Sequence, residues 1–100
     1  MSIRLDAMVL KMVSAREMYG YEIVLELKKV SDNYFSLKTG TVYPLLQTLV
    51  SNRLLEAYDK EYCKQKRTFY KITNYGLEYL QQEIKNWKMY SNAVNKVLGI

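Results

Sequence analysis

The amino-acid sequence predicts a mainly α-helical fold with one small β-hairpin. Two short amphipathic segments, separated by a polar connection, indicate a helix-turn-helix. Two stretches rich in Tyr, Phe, Ile and Thr follow, joined by the basic string CKQK, and indicate the hairpin. The chain ends in a long apolar pattern with alternating steps of three and four residues. This order predicts a winged helix-turn-helix domain followed by one long C-terminal dimerisation helix.

The three helices of the first half are predicted from apolar residues at helical spacing. The first covers residues 3–13, and the second covers residues 19–31, the string YGYEIVLELKKVS. The third is the string KTGTVYPLLQTL, residues 38–49, which begins an apolar stripe along one side of a helix. The residues of that stripe are Val42, Leu45, Leu46, Leu49 and Val50. We therefore expect the second and third segments to be the two helices of the helix-turn-helix.

Pro44 lies inside the third segment, and its effect depends on where the helix begins. If Thr41 caps the helix, the proline falls in the first turn, where a missing N–H costs little. If Thr39 caps it, the ring meets the carbonyl of Gly40, and a kink or an irregular first turn is expected. In both cases we expect the proline to stiffen the leading end of the helix.

The hairpin is predicted over residues 54–62 and 67–73. The string RTFYKIT alternates between two faces, which is the period of a half-buried strand. The connecting CKQK lacks the Asn-Gly or Gly-Gly pair that a tight turn favours, so we expect a loose and mobile wing. The single cysteine, Cys63, has no partner for an internal disulfide. We interpret it as an ordinary strand residue, with a redox sensor as the alternative.

The last segment predicts one long helix over residues 74–99, capped by Thr73 or Asn74. At 1.5 Å per residue this helix is roughly 37 Å long, which is more than a domain of this size can cover. We therefore expect its apolar seam to pack against a second copy of the chain. Residues 1–73 would then be the winged helix-turn-helix domain, and residues 74–100 the dimerisation helix. The residues expected at this interface, or lining a ligand cavity within it, are Met8, Met12, Ile84, Trp87, Met89, Tyr90, Ser91 and Val94.

Composition argues against an enzyme. The chain has no histidine, which excludes His-based acid–base catalysis, Ser-His-Asp triads and His-ligated zinc. Its four glycines are isolated, so no glycine-rich loop can hold a phosphate. We therefore expect no catalytic residue, no metal site and no cofactor. The sequence contains neither a run of 18 apolar residues nor a signal-peptide pattern, and so predicts a cytoplasmic protein with no membrane partner.

The charge distribution favours a nucleic-acid partner. The formal net charge is +5, and residues 60–71 hold five basic residues and one acid. No acid occurs between Asn33 and Leu55, so the exposed side of the third segment has no carboxylate to repel a phosphate. Gln47, near the middle of that side, suits an adenine edge. The candidate DNA contacts are Tyr19, Tyr21, Lys38, Thr39, Thr41, Tyr43, Gln47, Lys64, Lys66 and Arg67. For Tyr19 and Tyr21, packing of the second helix is an equal alternative.

Several strings in fixed order resemble the PadR family of bacterial transcriptional regulators. They are GYEI at the start of the second helix, GTVYPLLQTL in the third, NRLLE before the wing, and RTFYKITNYGLEYL from the wing into the last helix. Together they span Met8 to about Leu80. Because the chain has room for only one C-terminal helix, it resembles the short branch of the family, to which multidrug-resistance regulators belong. The wing departs from the family pattern, since CKQK contains no glycine.

The resemblance implies a homodimer that binds double-stranded DNA at a pseudo-palindromic operator and represses transcription. In a known member of the short branch, a tryptophan on the last helix faces its symmetry mate, and planar aromatic drugs bind between the two rings. Trp87 occupies the matching place, so the resemblance implies release by a flat, drug-like ligand. Two alternatives stay open. Trp87 can serve only to pack the interface, and the winged helix can be a protein–protein interaction module that does not bind DNA.

Overall fold

The computed structural model describes residues 4–100, which form four helices and a three-stranded antiparallel sheet. The elements are α1 (Leu5–Ala15), β1 (Met18–Tyr19), α2 (Gly20–Val30), α3 (Thr39–Ser51), β2 (Leu55–Tyr62), β3 (Gln65–Ile72) and α4 (Asn74–Leu98). The fold class expected from the sequence, a winged helix-turn-helix with one long C-terminal helix, is confirmed. Part of the first predicted helix lies outside the described residues.

The sheet contains one strand that the sequence did not reveal. Its order is β1-β3-β2, and β1 pairs with β3 through Met18 opposite Tyr70 and Tyr19 opposite Phe69. A strand of two residues is too short to show an alternating pattern, so only its pairing defines it. The side chain of Met18 is buried in the core. The pairing therefore fixes the start of α2 against the wing.

The wing is a tight hairpin, so the prediction of a loose connection was wrong. Strands β2 and β3 stay paired up to Tyr62 opposite Gln65, which leaves only Cys63 and Lys64 in the turn. Both turn residues have positive φ, 53° and 64°, as the two-residue turn of a twisted hairpin requires. Eight paired residues on each strand impose this turn on side chains that do not favour it. Cys63 is therefore an exposed turn residue and not a strand residue.

The core lies among the first three helices, the base of the sheet and the start of α4. Each of α1, α2 and α3 buries one apolar stripe, at the spacing that the sequence predicts. The buried residues of this core are Ala7, Val9, Leu10, Val13, Met18, Ile23, Val24, Leu27, Val42, Leu46, Leu49, Leu54, Leu55 and Leu80. This packing holds α3 with its opposite side toward solvent.

The first turn of α3 begins earlier than either expected cap. Lys38 is the residue at the N-cap, so Thr39 and Thr41 both lie inside the helix. The Lys38 carbonyl accepts from the amides of Thr41, at 3.0 Å, and Val42, at 3.2 Å. Pro44 is the sixth residue of the helix, which puts its ring next to the Gly40 carbonyl. The Thr48 hydroxyl donates to the Pro44 carbonyl at 3.2 Å.

Helix α4 starts in the core and then extends beyond it. Thr73 caps the helix as predicted, since its Oγ1 accepts from the Gly76 amide at 2.9 Å. A Cβ on Gly76 would lie 2.2 Å from the Leu54 carbonyl oxygen, so only glycine lets α4 approach the backbone before β2 this closely. Leu80 is buried and Ile84 packs against the core. Beyond Ile84 most of the helix surface is exposed.

Candidate nucleic-acid interface

The exposed side of α3 presents the residues that the sequence assigned to DNA. Lys38, Thr39, Thr41 and Gln47 are exposed, and Tyr43 is 44% exposed. The helix carries no acidic residue. Its outer surface is therefore a row of hydroxyl, amide and ammonium groups that can donate to phosphates or base edges. These contacts with DNA remain predictions.

Helices α2 and α3 meet closely at Gly20 and Tyr43. A Cβ on Gly20 would lie 2.8 Å from Cε1 of the Tyr43 ring, which therefore covers the first residue of α2. Tyr21, one residue further, is 47% exposed. The start of α2 and the middle of α3 thus form one continuous surface.

The N-terminus of α2 is held by charged side chains. Glu22 Oε1 accepts from the backbone amide of Tyr19 at 3.2 Å, which satisfies one of the free donors at the helix start. The Arg16 guanidinium lies 3.2 Å from Glu22 and 3.9 Å from Glu26. Arg16 therefore offsets the negative charge of these two carboxylates.

Tyr19 packs within an aromatic cluster on the outer face of the sheet. Its ring centroid lies 5.5 Å from that of Phe69 and 5.7 Å from that of Tyr62. Tyr58 stacks on Phe69 at 6.0 Å, and its hydroxyl donates to the Glu17 carboxylate. Tyr19 therefore packs against neighbouring side chains, which was the alternative to a DNA contact. A phosphate contact from its hydroxyl remains a prediction.

The three basic residues of the hairpin that the sequence predicts as DNA contacts occupy different places. Lys64 lies in the two-residue turn and is exposed. Lys66 Nζ lies 3.5 Å from Asp59 Oδ2 across the hairpin. Arg67 is half-buried and its guanidinium carbon lies 4.4 Å from the centroid of the Tyr19 ring. Only Lys64 is therefore at the tip, because the tight turn shortens the connection and places the other two on β3.

A hollow of about 300 Å³ separates α3 from the wing. It is lined by Tyr19, Gly20, Tyr43, Arg67, Thr68 and Tyr70. Thr68 and Tyr70 were not among the predicted contacts, although the alternation of RTFYKIT places them on one face together with Ile72. Burial raises the pKa of the Tyr70 hydroxyl above its ordinary value, with smaller contributions from Tyr43 and Asp59. A second hollow, of about 330 Å³, continues toward Gln47 and Ser51.

The second half of α4 exposes large apolar side chains. Trp87 is 36% exposed and Met89 65%, while Val97 and, just beyond the helix, Ile100 are almost fully exposed. The Trp87 and Tyr90 rings lie 5.9 Å apart at an angle of 31°. The remaining residues predicted for this interface are all half-buried, namely Met8, Met12, Ile84, Ser91 and Val94. Met8 and Met12, on α1, pack against the core cluster, as does Ile84 on α4.

A larger hollow, of about 730 Å³, lies between α1, α3 and the start of α4. The Tyr79 hydroxyl there donates to Asp6 Oδ2 at 2.9 Å and accepts from Arg4 at 3.1 Å. Burial is the main reason why the pKa of Tyr79 lies above its ordinary value. Sequence reasoning did not find this hollow, because its lining comes from three separate helices and carries no local motif.

Two kinds of feature are missing from the described part of the chain. Residues 4–100 contain no group of three or more His, Cys, Asp or Glu side chains placed to hold a metal ion. Over the same residues no helix is long and apolar enough to cross a membrane.

Comparison with models of known protein families shows which family the chain belongs to. The family model for the transcriptional regulator PadR-like family matches residues 9–82, which include α2, α3, the wing and the start of α4. The chain belongs to the PadR-like family. The resemblance carried by GYEI, GTVYPLLQTL and RTFYKITNYGLEYL is thus confirmed.

Similar proteins cover most of this PadR-like chain. An uncharacterised protein of Lysinibacillus sphaericus is 34% identical over 84 residues, which are 83% of this chain and 77% of that protein. The PadR-like transcriptional regulator of Bacillus cereus ATCC 14579 is 35% identical with a TM-score of 0.83, over 94% of this chain and 90% of that one.

One similar structure contains nucleic acid. The PadR of Bacillus subtilis, solved in complex with operator DNA, is 22% identical with a TM-score of 0.73. The match covers 80% of this chain and 46% of that one. At this identity the likeness shows a shared fold.

Proposed function

We propose that this PadR-like chain is a DNA-binding transcriptional repressor that acts as a homodimer. The observation that carries the proposal is the outer side of α3, which combines exposed donors with a complete lack of acids. A typical exposed helix face carries both signs of charge. A face with only neutral donors and a lysine at its start is instead suited to close approach by phosphates.

The wing supports the proposal by its position and its charge. It extends from the same side of the core as α3, and the two hollows between them are lined by residues of both elements. Lys64 at the turn and Lys60 on β2 provide cations for phosphate neutralisation, whereas Lys71 Nζ lies 3.5 Å from Glu56 Oε2. In the proposed complex α3 enters the major groove and the wing contacts the adjacent backbone.

The second half of α4 supports a dimer. A chain of this size does not ordinarily leave Trp87, Met89, Val97 and Leu98 exposed on one extended helix. A hollow lined by Tyr90, Ala93, Val94, Val97 and Leu98 offers an apolar surface to a second copy. In the proposed dimer, residues 74–100 act as the dimerisation helix, and residues 1–73 as the DNA-binding domain.

A two-fold dimer sets the geometry of the operator. Two copies of α3 related by the dimer axis would enter successive major grooves roughly 34 Å apart. The operator would then be pseudo-palindromic, and its occupation would repress the adjacent genes. The proposal places the protein in the cytoplasm and assigns it no enzymatic activity.

A planar aromatic ligand at the dimer axis would release the repressor. Trp87 and Tyr90 already form a tilted aromatic pair on an exposed helix face, with ring centroids 5.9 Å apart. A flat ligand between the two Trp87 rings changes DNA affinity only if it binds two dimer geometries unequally. Because Trp87 is the only tryptophan, its fluorescence reports this site alone. Titration with planar aromatic cations should quench or shift the emission, and no change with any of them would contradict the ligand step.

Binding to duplex DNA tests the main proposal. Fluorescence anisotropy of a labelled duplex from the region upstream of the gene should show nanomolar binding at moderate salt. The affinity should fall as salt rises, because bound phosphates release counterions. If the dimer shows no binding to this duplex, the result would favour the alternative, a winged-helix module that binds only proteins.

A further inference from the structure

The outer face of the sheet buries a phenylalanine that does not belong to the main core. Phe69 is only 4% exposed, yet it lies outside the core cluster. Successive residues of a strand point to opposite faces, so Phe69 points away from the side of Thr68 and Tyr70, which line the hollows beside α3. A second, smaller cluster therefore exists on the face of the hairpin opposite α3.

This second cluster draws on all three strands. Tyr19 on β1 and Tyr58 on β2 are the direct partners of Phe69, so their rings share its face. Their centroids lie 5.5 Å and 6.0 Å from that of Phe69, and the centroid of Tyr62 lies 5.9 Å from it. Lys60 Nζ lies 4.5 Å from the centroid of the Phe69 ring, which is the distance of a cation–π contact. Four side chains of the sheet thus cover Phe69.

Arg67 extends the cluster beyond the end of β1. Strand β1 stops pairing with β3 at Tyr19 opposite Phe69, before the position of Arg67 is reached. The guanidinium carbon of Arg67 nevertheless lies 4.4 Å from the centroid of the Tyr19 ring, and its Nη2 donates to Gln65 Oε1 at 2.9 Å. Its Nε is buried, so the guanidinium lies against the sheet. The contact joins the outer part of the hairpin to Tyr19, the residue at the N-cap of α2.

The face of the hairpin toward α3 is packed less closely. Hollows of about 300 Å³ and about 330 Å³ lie between that face and α3. A two-stranded hairpin is only marginally stable by itself, so the direction of its outer half depends on what packs against its faces. The cluster around Phe69 is therefore the main support for the direction of the wing.

We propose that Tyr19, Phe69 and Arg67 are positioning residues that hold the wing at a fixed angle to the start of α2. Tyr19 is the central member, because its ring contacts Phe69, Tyr62 and Arg67 and its backbone leads directly into α2. A shift of the α2 N-terminus would therefore move the wing as well. The consequence for DNA rests on the function proposed above, since a wing already held at one angle loses less conformational freedom on binding.

The single cysteine provides a probe of wing motion that needs no DNA. Cys63 is exposed in the turn, so a nitroxide attached to it reports the mobility of the wing tip. The electron paramagnetic resonance line shape should show faster motion in Tyr19→Leu and in Arg67→Met than in the wild type. Tyr19→Phe keeps the ring and should keep the wild-type line shape. Tyr34→Leu is the matched control, because Tyr34 is 82% exposed and lies outside the cluster.

A double variant shows whether Arg67 acts through the Tyr19 ring. Arg67→Met should add little mobility in a Tyr19→Leu background, because the guanidinium has then lost the ring that it contacts. Circular dichroism checks that each variant is folded, and Arg67→Met changes only a half-buried side chain of the hairpin. Unchanged line shapes in Tyr19→Leu and Arg67→Met would overturn the proposal, and so would an equally mobile label in Tyr34→Leu.

Duplex binding tests the consequence for DNA. Phe69 is buried and has no polar side-chain atom, so it cannot contact DNA itself. Phe69→Leu should nevertheless bind a labelled duplex about fivefold more weakly than the wild type, while Tyr34→Leu should stay within about twofold of it. A mobile wing in Phe69→Leu with wild-type affinity would overturn the effect on DNA. If the wild type binds no duplex while Tyr19→Leu frees the label, the DNA-binding function fails and the positioning of the wing by Tyr19 is supported.

Discussion

The ring of Tyr43 on α3 covers Gly20 at the start of α2, leaving 2.8 Å between its Cε1 and the position of a Cβ on the glycine. This contact sets how closely the two helices of the helix-turn-helix approach at the exposed surface. The same ring lines the hollow that faces the wing. A change in the spacing of α2 and α3 would therefore move Tyr43, which also forms part of the surface proposed to bind DNA.

Replacement of Gly20 by alanine should weaken DNA binding several-fold with little effect on stability. The added methyl forces the Tyr43 ring to move, and a partly exposed ring can do so at a cost within about 1 kcal/mol. Anisotropy and urea denaturation measure the two effects. In a Tyr43→Ala background the same substitution should change neither quantity, because the clash is absent. A large loss of stability in Gly20→Ala would show that the ring cannot yield.

Much of this fold could be predicted from the sequence, because helix periodicity and strand alternation are local signals. The stripe of α3, the Thr73 cap and the long α4 all follow from such signals. The two-residue strand β1 could not be predicted, since its existence depends on pairing with Tyr70 and Phe69 far along the chain. The tight turn at Cys63 and Lys64 was missed because strand pairing outweighs the turn preferences of those residues.

The candidate site was predicted less completely than the fold. The exposed residues of α3 were found because the lack of acids is visible in the sequence. The stacking of Arg67 on Tyr19 was not predicted, since it joins β3 to β1 across the sheet. The place of Tyr70 in the hollow also depends on the approach of α3 to the wing. Contacts between distant elements need the tertiary structure.

Replacement of Gly76 by alanine should destabilise the protein by at least about 2 kcal/mol. The new methyl would lie 2.2 Å from a backbone oxygen, that of Leu54, which cannot rotate away. Gly40→Ala is the matched control, because nothing lies within 4 Å of its Cβ position. This control should gain about 0.5–1 kcal/mol from helix propensity. Urea denaturation at a fixed protein concentration compares the two, and equal stabilities would contradict the close approach of α4 to Leu54.

Replacement of Val94 by aspartate should dissociate the proposed dimer. Val94 lies in the apolar hollow of α4 and outside the core, so a charge there should raise the dimer dissociation constant about thirtyfold or more. Asn92→Asp, on the opposite side of the helix, should leave the constant unchanged. Sedimentation velocity over a concentration series measures both variants. A dimer of unaltered strength in Val94→Asp would exclude this face as the interface.

Stability should fall at alkaline pH, in part through Tyr70. Its pKa in the folded protein is raised above 10.0, mainly by burial, so the folded state holds the proton more tightly than the unfolded state. The contribution to stability is therefore complete below pH 10.0 and is lost as the pH rises through the folded pKa. Urea midpoints measured from about pH 9 to about pH 11 should decline less steeply in Tyr70→Phe than in the wild type. Parallel curves would contradict the raised pKa.

The salt dependence of duplex binding tests the central claim most directly. A labelled duplex from the region upstream of the gene is titrated with the dimer at several salt concentrations. The proposed function predicts nanomolar affinity at moderate salt and a linear fall of log K with log salt, at about 0.9 per phosphate neutralised. Loss of all binding to this region, or an affinity that does not change with salt, would contradict the assignment of α3 and the wing to DNA.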